Sequence, residues 1–217
     1  MYPVTYEADY VRERDRLTTF FRLILAIPWF IVAIIYSIAV FFTVIAAWFA
    51  LLFTGRYPDG LYNFNSGALR FFMRVNGWFS LQTDAWPPFG FGDEPAYPIR
   101  VQIAPRAASQ DRLKTLGRII LAIPLLFVSF GIGYVQQGAA FVAWLTIVFR
   151  GYQPKNVHDA LGYALDWNTR AGAYLLLLRD EYPPVGVGAQ VGASPSAGGA
   201  PPPPAAPEPP PSAGPTG

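Results

Sequence analysis

Four ionisable side chains stand where chemistry is costliest. Arg70 and Arg74, and 96 positions later Asp166 and Arg170, lie in the middle of two helical segments of about 20 residues, at about 61–83 and 157–178. Spaced four apart, each pair falls on one helix face. Ionisable groups inside a membrane span are expensive and mark functional candidates, so the four are read as a polar seam able to hold an anion or a lipid headgroup. In the competing reading the segments are partly interfacial and the arginines snorkel toward the headgroups.

The remaining inventory is poor in chemistry. There is no cysteine, which excludes disulfides, thiolate metal sites and cysteine nucleophiles. His158 is the one histidine. It neighbours Asp159, but no third partner and no Gly-x-Ser-x-Gly nucleophile motif accompany them; at the start of a helical segment it is expected on the surface. No phosphate loop, dinucleotide fingerprint or histidine metal pair is present. Catalytic, cofactor-binding and metal-binding residues are therefore not expected, and the chain reads as a non-enzyme.

The elements that position these residues come from composition. The chain has 217 residues, 53% hydrophobic and only 14% charged, against about 25% charged in soluble chains. Its net charge of +2 is too small to indicate a nucleic-acid partner. Leu23 to Phe53 holds no ionisable group but the Tyr36 phenol, and Ile119 to Phe149 is a second such run. A bilayer core takes about 20 apolar residues to cross, so lipid is the expected solvent. Seven charges in residues 7–16 followed by so long a run do not resemble a cleavable signal, and a retained anchor is expected.

The chain is a tandem duplication. Over 15–28 against 111–124, ten of fourteen positions are identical, each copy ending Leu-Ala-Ile-Pro. The offset holds for Gly55 and Gly151, Pro58 and Pro154, Arg74 and Arg170, Asp84 and Asp180, and Pro87-Pro88 and Pro183-Pro184. Chance likeness between apolar runs does not keep glycines, prolines and charges in register, so these are assigned as structural residues of the repeat. Gly55 and Gly151 are expected as left-handed helix ends, with Pro58 and Pro154 blocking continuation. The Gln136 and Gln137 amides could bond between helices, but Val40 and Phe41 replace them in the first copy. Residues 2–8 and 97–103 alternate apolar and polar and read as short strands that pair with each other, or as extended linkers. The expected organisation is a first membrane repeat over 1–92, a second over 93–185, and a disordered Pro/Gly/Ala-rich tail over 186–217.

Three topologies compete: two crossings per copy, one crossing with the second segment in the interface, or a hairpin within the long run. Two crossings of at least about 17 residues do not fit in the run. Arg12, Arg14, Arg16 and Arg22 precede the first long helix; Arg100, Arg106, Arg112, Lys114 and Arg118 precede the other. Cytoplasmic loops are rich in Lys and Arg, and two crossings per copy put both clusters inside. The expectation is an all-α integral membrane protein of four transmembrane helices, with short β segments at each repeat start and both termini cytoplasmic. Trp48, Tyr57, Trp144 and Tyr152 would mark the outer interface, Trp86 and Tyr182 the inner one.

Gly-Arg-Tyr-Pro at 55–58, a second segment with an internal Arg, Asp-x-Trp-Pro-Pro-Phe at 84–89 and the leading Tyr-Pro-Val strand together resemble the bacterial membrane family called domain of unknown function 4389. The resemblance covers residues 2–89 and 97–185. The second copy departs with Gly-Tyr-Gln-Pro at 151–154 and Val185 in place of Phe. The resemblance implies the same membrane fold and carries no activity. The functional expectation is a scaffold or modulator of a membrane partner in the bacterial inner membrane, with the bilayer and a membrane protein or a second copy as partners. The alternative is a small transport or lipid/anion-binding protein using the seam around Arg74 and Arg170.

Overall fold

The computed structural model describes residues 2–107 and 109–184; the tail expected over 186–217 lies outside them. The order is β1 (Val4–Ala8), α1 (Arg16–Phe20), α2 (Arg22–Leu25), α3 (Ile27–Thr54), α4 (Asp59–Phe79), β2 (Ile99–Ile103), α5 (Arg112–Arg150) and α6 (Lys155–Leu175). Asp15 and Asp111 start the helical runs as N-caps, their carboxylates accepting from the Leu17 and Leu113 N–H at 2.9 Å. Gly55 and Gly151 end α3 and α5 at φ 69° and 77°, a left-handed conformation that a Cβ would penalise. Pro58 and Pro154, at ψ 135° and 140°, are the extended residues from which α4 and α6 begin. The long run of the first copy is divided into α1, α2 and α3, whereas α5 runs unbroken through Pro124.

The expected strands pair. β1 and β2 are antiparallel, with Val4 opposite Ile103, Tyr6 opposite Val101 and Ala8 opposite Ile99. Val4, Tyr6, Ile99 and Val101 are buried, while Glu7 and Gln102 are exposed on the other face. Arg100 on that outer face holds Asp9 through two bonds of 2.7 and 2.9 Å.

The two copies are related by a pseudo-twofold axis. It passes through the Tyr6–Val101 pair, the two strands matching at an offset of 95 because each begins Tyr-Pro, at 2–3 and 97–98. α3 and α5 run antiparallel. The end of α3 meets the approach to α5, where the Gln110 N–H donates to the Gly55 carbonyl at 3.0 Å. The end of α5 meets the approach to α1, where the Arg14 N–H donates to the Gly151 carbonyl at 3.1 Å. The strands are exchanged: β1 of the first copy docks on α6 of the second, through the Tyr6 N–H and the Asp166 carboxylate. β2 docks on α4 of the first, through the Val101 carbonyl and the Arg70 guanidinium.

α4 and α6 form the middle of the molecule, covered by the sheet on one side and by α3 and α5 on the other. α3 packs along one narrow stripe (Trp29, Val40, Ala47, Leu51 buried) and leaves Ile31, Ile34, Ile35, Ile38, Phe41 and Phe42 exposed. Two segments, Arg22–Thr54 and Ile120–Arg150, are long and apolar enough to cross a bilayer, and only 11% of each apolar window is buried. That exposure distinguishes them from the core helices of a soluble domain. Tyr57, expected at an interface, is instead buried at 2% exposure. Its hydroxyl donates to the Leu176 carbonyl and accepts from the Asn65 amide.

Candidate functional site

Of the four seam candidates, Arg70 and Asp166 occupy equivalent positions and do complementary work. Tyr6 and Val101 lie at the middle of their strands with backbone groups turned away from the sheet. An exposed strand edge leaves such groups unpaired. Asp166, an acceptor, takes the Tyr6 N–H at 3.1 Å. Arg70, a donor, reaches the Val101 carbonyl at 3.4 Å. Arg170 closes an ion pair with Asp166 one turn away, both side chains at 5% exposure or less. Arg74, 1% exposed, donates to the carbonyls of Gly92 at 2.6 Å and Gly90 at 3.5 Å, pinning the segment after α4. The sheet sits close because Gly77 has no side chain: a Cβ there would come within 2.4 Å of the Tyr6 hydroxyl. Burial, with Tyr97 nearby, holds the Tyr6 phenol well above its usual pKa, so it stays neutral.

These residues fasten the sheet to the helices, and their charges are directed at internal partners. His158 corrects an expectation. It is 3% exposed, not on the surface, its Nε2 facing the Ala8 carbonyl at 3.4 Å and its ring edge-on to Tyr10 at 5.1 Å. Burial lowers its pKa, which keeps the imidazole neutral at pH 7. Asp159 faces Lys155 instead, at 2.8 Å, so no His–Asp pair forms. Of the two glutamines, Gln136 bonds between helices. Its amide nitrogen donates to Asn76 at 2.9 Å and Ser80 at 2.8 Å, and its oxygen accepts from Asn168 at 2.8 Å. Gln137 is exposed.

The strongest polar constellation was missed from sequence. Arg22 and Arg118 count there as members of basic clusters; in the structure they are buried ligands of the repeat-motif acids. Arg22 bonds Asp84 at 2.6 Å, donates to the Trp78 carbonyl at 2.5 Å and lies over the Trp78 ring at 4.9 Å. Arg118 bonds Asp180 at 2.7 Å, donates to the Tyr174 carbonyl at 3.4 Å and lies over the Tyr174 ring at 4.6 Å. Each acid also accepts the backbone N–H of the cap residue of its own repeat, Asp15 or Asp111, at 3.1 Å. Just before each acid, Leu81 and Leu177 are left-handed at φ 67° and 63°. That conformation is unfavourable for leucine by about 1–2 kcal/mol, and it occurs in both copies at the turn that presents these carbonyls. The signal available in sequence is the constant separation of 62 between Arg22 and Asp84 and between Arg118 and Asp180.

Six basic side chains remain exposed at the ends of the long helices. Arg12, Arg16 and Arg150 cluster where α5 ends, and Arg56, Arg112 and Lys114 where α3 ends. Arg112 lies against Gly55 and Arg16 against Gly151, each over the carbonyl end of the other copy's helix, where positive charge is favoured.

No curated protein and no solved structure matches the chain. The family described as "Domain of unknown function (DUF4389)" matches residues 16–90 and again 112–185. Each match begins at the N-terminal end of a helical run and takes in the buried Arg–Asp pair of that copy, and together they cover more than half of the chain: this protein belongs to the DUF4389 family, in two tandem copies.

Proposed function

We propose that the protein is a non-enzymatic module of the bacterial inner membrane that scaffolds or modulates a membrane partner, with α3 and α5 lying along the bilayer surface rather than across it. The observation that carries this reading is the position of the sheet. It covers the middle of the helices and turns Glu7, Asp9 and Arg100 outward. Were α3 and α5 to stand perpendicular to the bilayer, those charges would fall at the hydrocarbon midplane, where each costs at least about 2.5–3.5 kcal/mol. With the helices in the plane, the pseudo-twofold axis follows the membrane normal. The sheet then faces water and the exposed isoleucines and phenylalanines face lipid, as in interfacial helices.

Charge placement supports the same orientation. The two basic clusters sit at opposite ends of the helices, so in-plane helices bring both to one depth, where each residue gains about 1 kcal/mol from anionic lipid. Lys and Arg favour the cytoplasmic side of a membrane, so in this reading the basic face and both termini are cytoplasmic. Four crossings have less support, because α4 and α6 are enclosed by protein and offer lipid little surface. The alternative function, a transport or anion-binding seam around Arg74 and Arg170, also has less support: both guanidinium groups face internal acceptors.

The absence of native cysteine allows a clean test. Single variants Arg12→Cys, Arg56→Cys, Arg112→Cys and Arg150→Cys are labelled with a membrane-impermeant maleimide in oriented vesicles. In-plane helices put all four on one side. Four crossings put 12 and 112 opposite 56 and 150. Two antiparallel crossings put 12 and 150 opposite 56 and 112.

A further inference from the structure

Between the second half of α3 and the first turns of α5 lies an apolar groove of about 380 Å³, within the range of small-molecule sites. Val44, Ile45, Trp48 and Phe49 form one wall, Arg118 and Ala122 the other, and Leu175 and Leu177 close its floor. Ile45 and Phe49 are exposed, so the groove is continuous with the apolar face. Arg118 is 3% exposed and bonded to Asp180 and the Tyr174 carbonyl; its Nε, like that of Arg22 at the equivalent place, has no hydrogen-bond partner. Lys114 sits one turn before Arg118 on the same face of α5, exposed beside the end of α3.

The pseudo-twofold relates this groove to a region at the far end of the helices, where two lining positions carry larger side chains and two carry smaller ones, Ala140 for Val44 and Leu145 for Phe49. Phe141 stands at the position of Ile45 and Phe79 at that of Leu175. Phe141 and Phe20 both stack on Trp144, at 6.4 and 6.3 Å, and Phe79 packs edge-on against Phe30 at 5.2 Å. The duplication supplies two equivalent places; at one of them aromatic side chains of both copies pack together, while the other is an open groove.

We infer that the α3–α5 groove holds one acyl chain of an anionic phospholipid, its phosphate held by the basic residues at the start of α5. The inference rests on the membrane-surface reading above. The apolar walls exclude a polar ligand, continuity with the lipid-facing surface supplies the occupant, and the exposed Lys114, one turn from the lining Arg118, selects for negative charge.

The test uses the full chain on vesicles of phosphatidylcholine with and without phosphatidylglycerol, read by flotation and by native mass spectrometry after mild detergent extraction. The wild type is expected to float and to retain a single phosphatidylglycerol. Ile45→Phe with Leu175→Phe, which copies residues the protein already uses at the equivalent place, should float equally and lose the retained lipid by at least ~10-fold. Lys114→Glu should abolish the preference for phosphatidylglycerol over phosphatidylcholine. Unchanged lipid retention in the double variant, or no retained lipid on a floating wild type, overturns the groove site alone. A wild type that fails to float on either vesicle overturns the membrane-surface reading, and the groove with it.

Discussion

At one position in the two repeats, α4 carries an arginine and α6 an aspartate. Arg70 and Asp166 face the same place in the fold, the outward backbone of a strand centre, and meet it with opposite chemistry. A residue turned outward from a strand offers both an N–H and a C=O, so either a donor or an acceptor satisfies part of it. Twofold symmetry therefore constrains the backbone and leaves the side-chain polarity free. The Arg22–Asp84 and Arg118–Asp180 pairs are the opposite case. There both copies keep the same arginine, which joins the acid to a helix-end carbonyl beside a left-handed leucine.

The largest expected effect separates the two halves of the first comparison. Asp166→Leu removes the partner of the buried Arg170 and an acceptor from the Tyr6 N–H. Uncompensated buried charge costs about 3–5 kcal/mol. Arg70→Leu removes one long bond to a carbonyl and is expected to cost about 1 kcal/mol. Chemical denaturation in detergent measures both. Equal losses would show that the copies bear the sheet equally and that the acid–base difference is incidental.

The second prediction tests the symmetric case. Arg22→Leu and Arg118→Leu should each cost about 3 kcal/mol, the low end for a broken buried pair, because Asp84 and Asp180 keep side-chain exposures of 28% and 19%. The two losses should be similar, because the arginines meet equivalent partners, and should add within about 0.5 kcal/mol in the double variant. Unequal single losses would show that one repeat carries the fold.

How far these features are legible in sequence follows from their range. The duplication, the left-handed Gly55 and Gly151, the helix stops before Pro58 and Pro154 and the alternating strands all depend on pattern within the sequence, and the structure contains each of them. The partner of Arg22 is 62 residues away, in a motif recognisable only by its prolines. Without that pairing, Arg22 and Arg118 count as free charges in a topology rule that assumes solvated loops. His158 shows the same limit: its enclosure is made by Ala8 and Tyr10, some 150 residues earlier, at and just beyond the end of the other copy's strand. Strand exchange has no local signature, because a strand that docks on its own repeat alternates in the same way. The four seam candidates were found by their cost in lipid, and the structure brings Arg70 and Asp166 to the two strands; that their role is to hold a sheet depends on the same exchange.

A smaller effect is expected where one copy has added polarity. Gln136 links Asn76, Ser80 and Asn168; its equivalent is Val40. Gln136→Val makes the copies alike and strands amides whose desolvation costs about 1–3 kcal/mol. Restoring the balance with Asn76→Leu in the same chain should recover part of that loss, since removing both partners of a buried bond is cheaper than removing one. A double variant as unstable as the sum of the singles would mean that the node does not act as a unit.

The smallest expected effect lies on the sheet's outer face, where the symmetry is again broken. Asp9 pairs with Arg100, but their equivalents are Ala104 and Thr5, so the ion pair occupies one end of the sheet only. The hydrogen bonds from Arg100 hold the Asp9 carboxyl below its usual pKa, partly opposed by desolvation. Because the folded value is the lower one, the unfolded chain binds the proton first as the solution is acidified. The stabilisation is therefore complete above the unfolded value of about 4 and is lost as pH falls through the folded value. Asp9→Asn should leave stability at pH 7 slightly reduced and remove this part of its fall below about pH 4. Asp9 is half exposed and the pair is open to salt, so the difference should shrink in high ionic strength. Acid unfolding profiles of wild type and variant that stay parallel through this range would mean that the pair contributes nothing, and that the sheet is held by its buried face and by Asp166 and Arg70 alone.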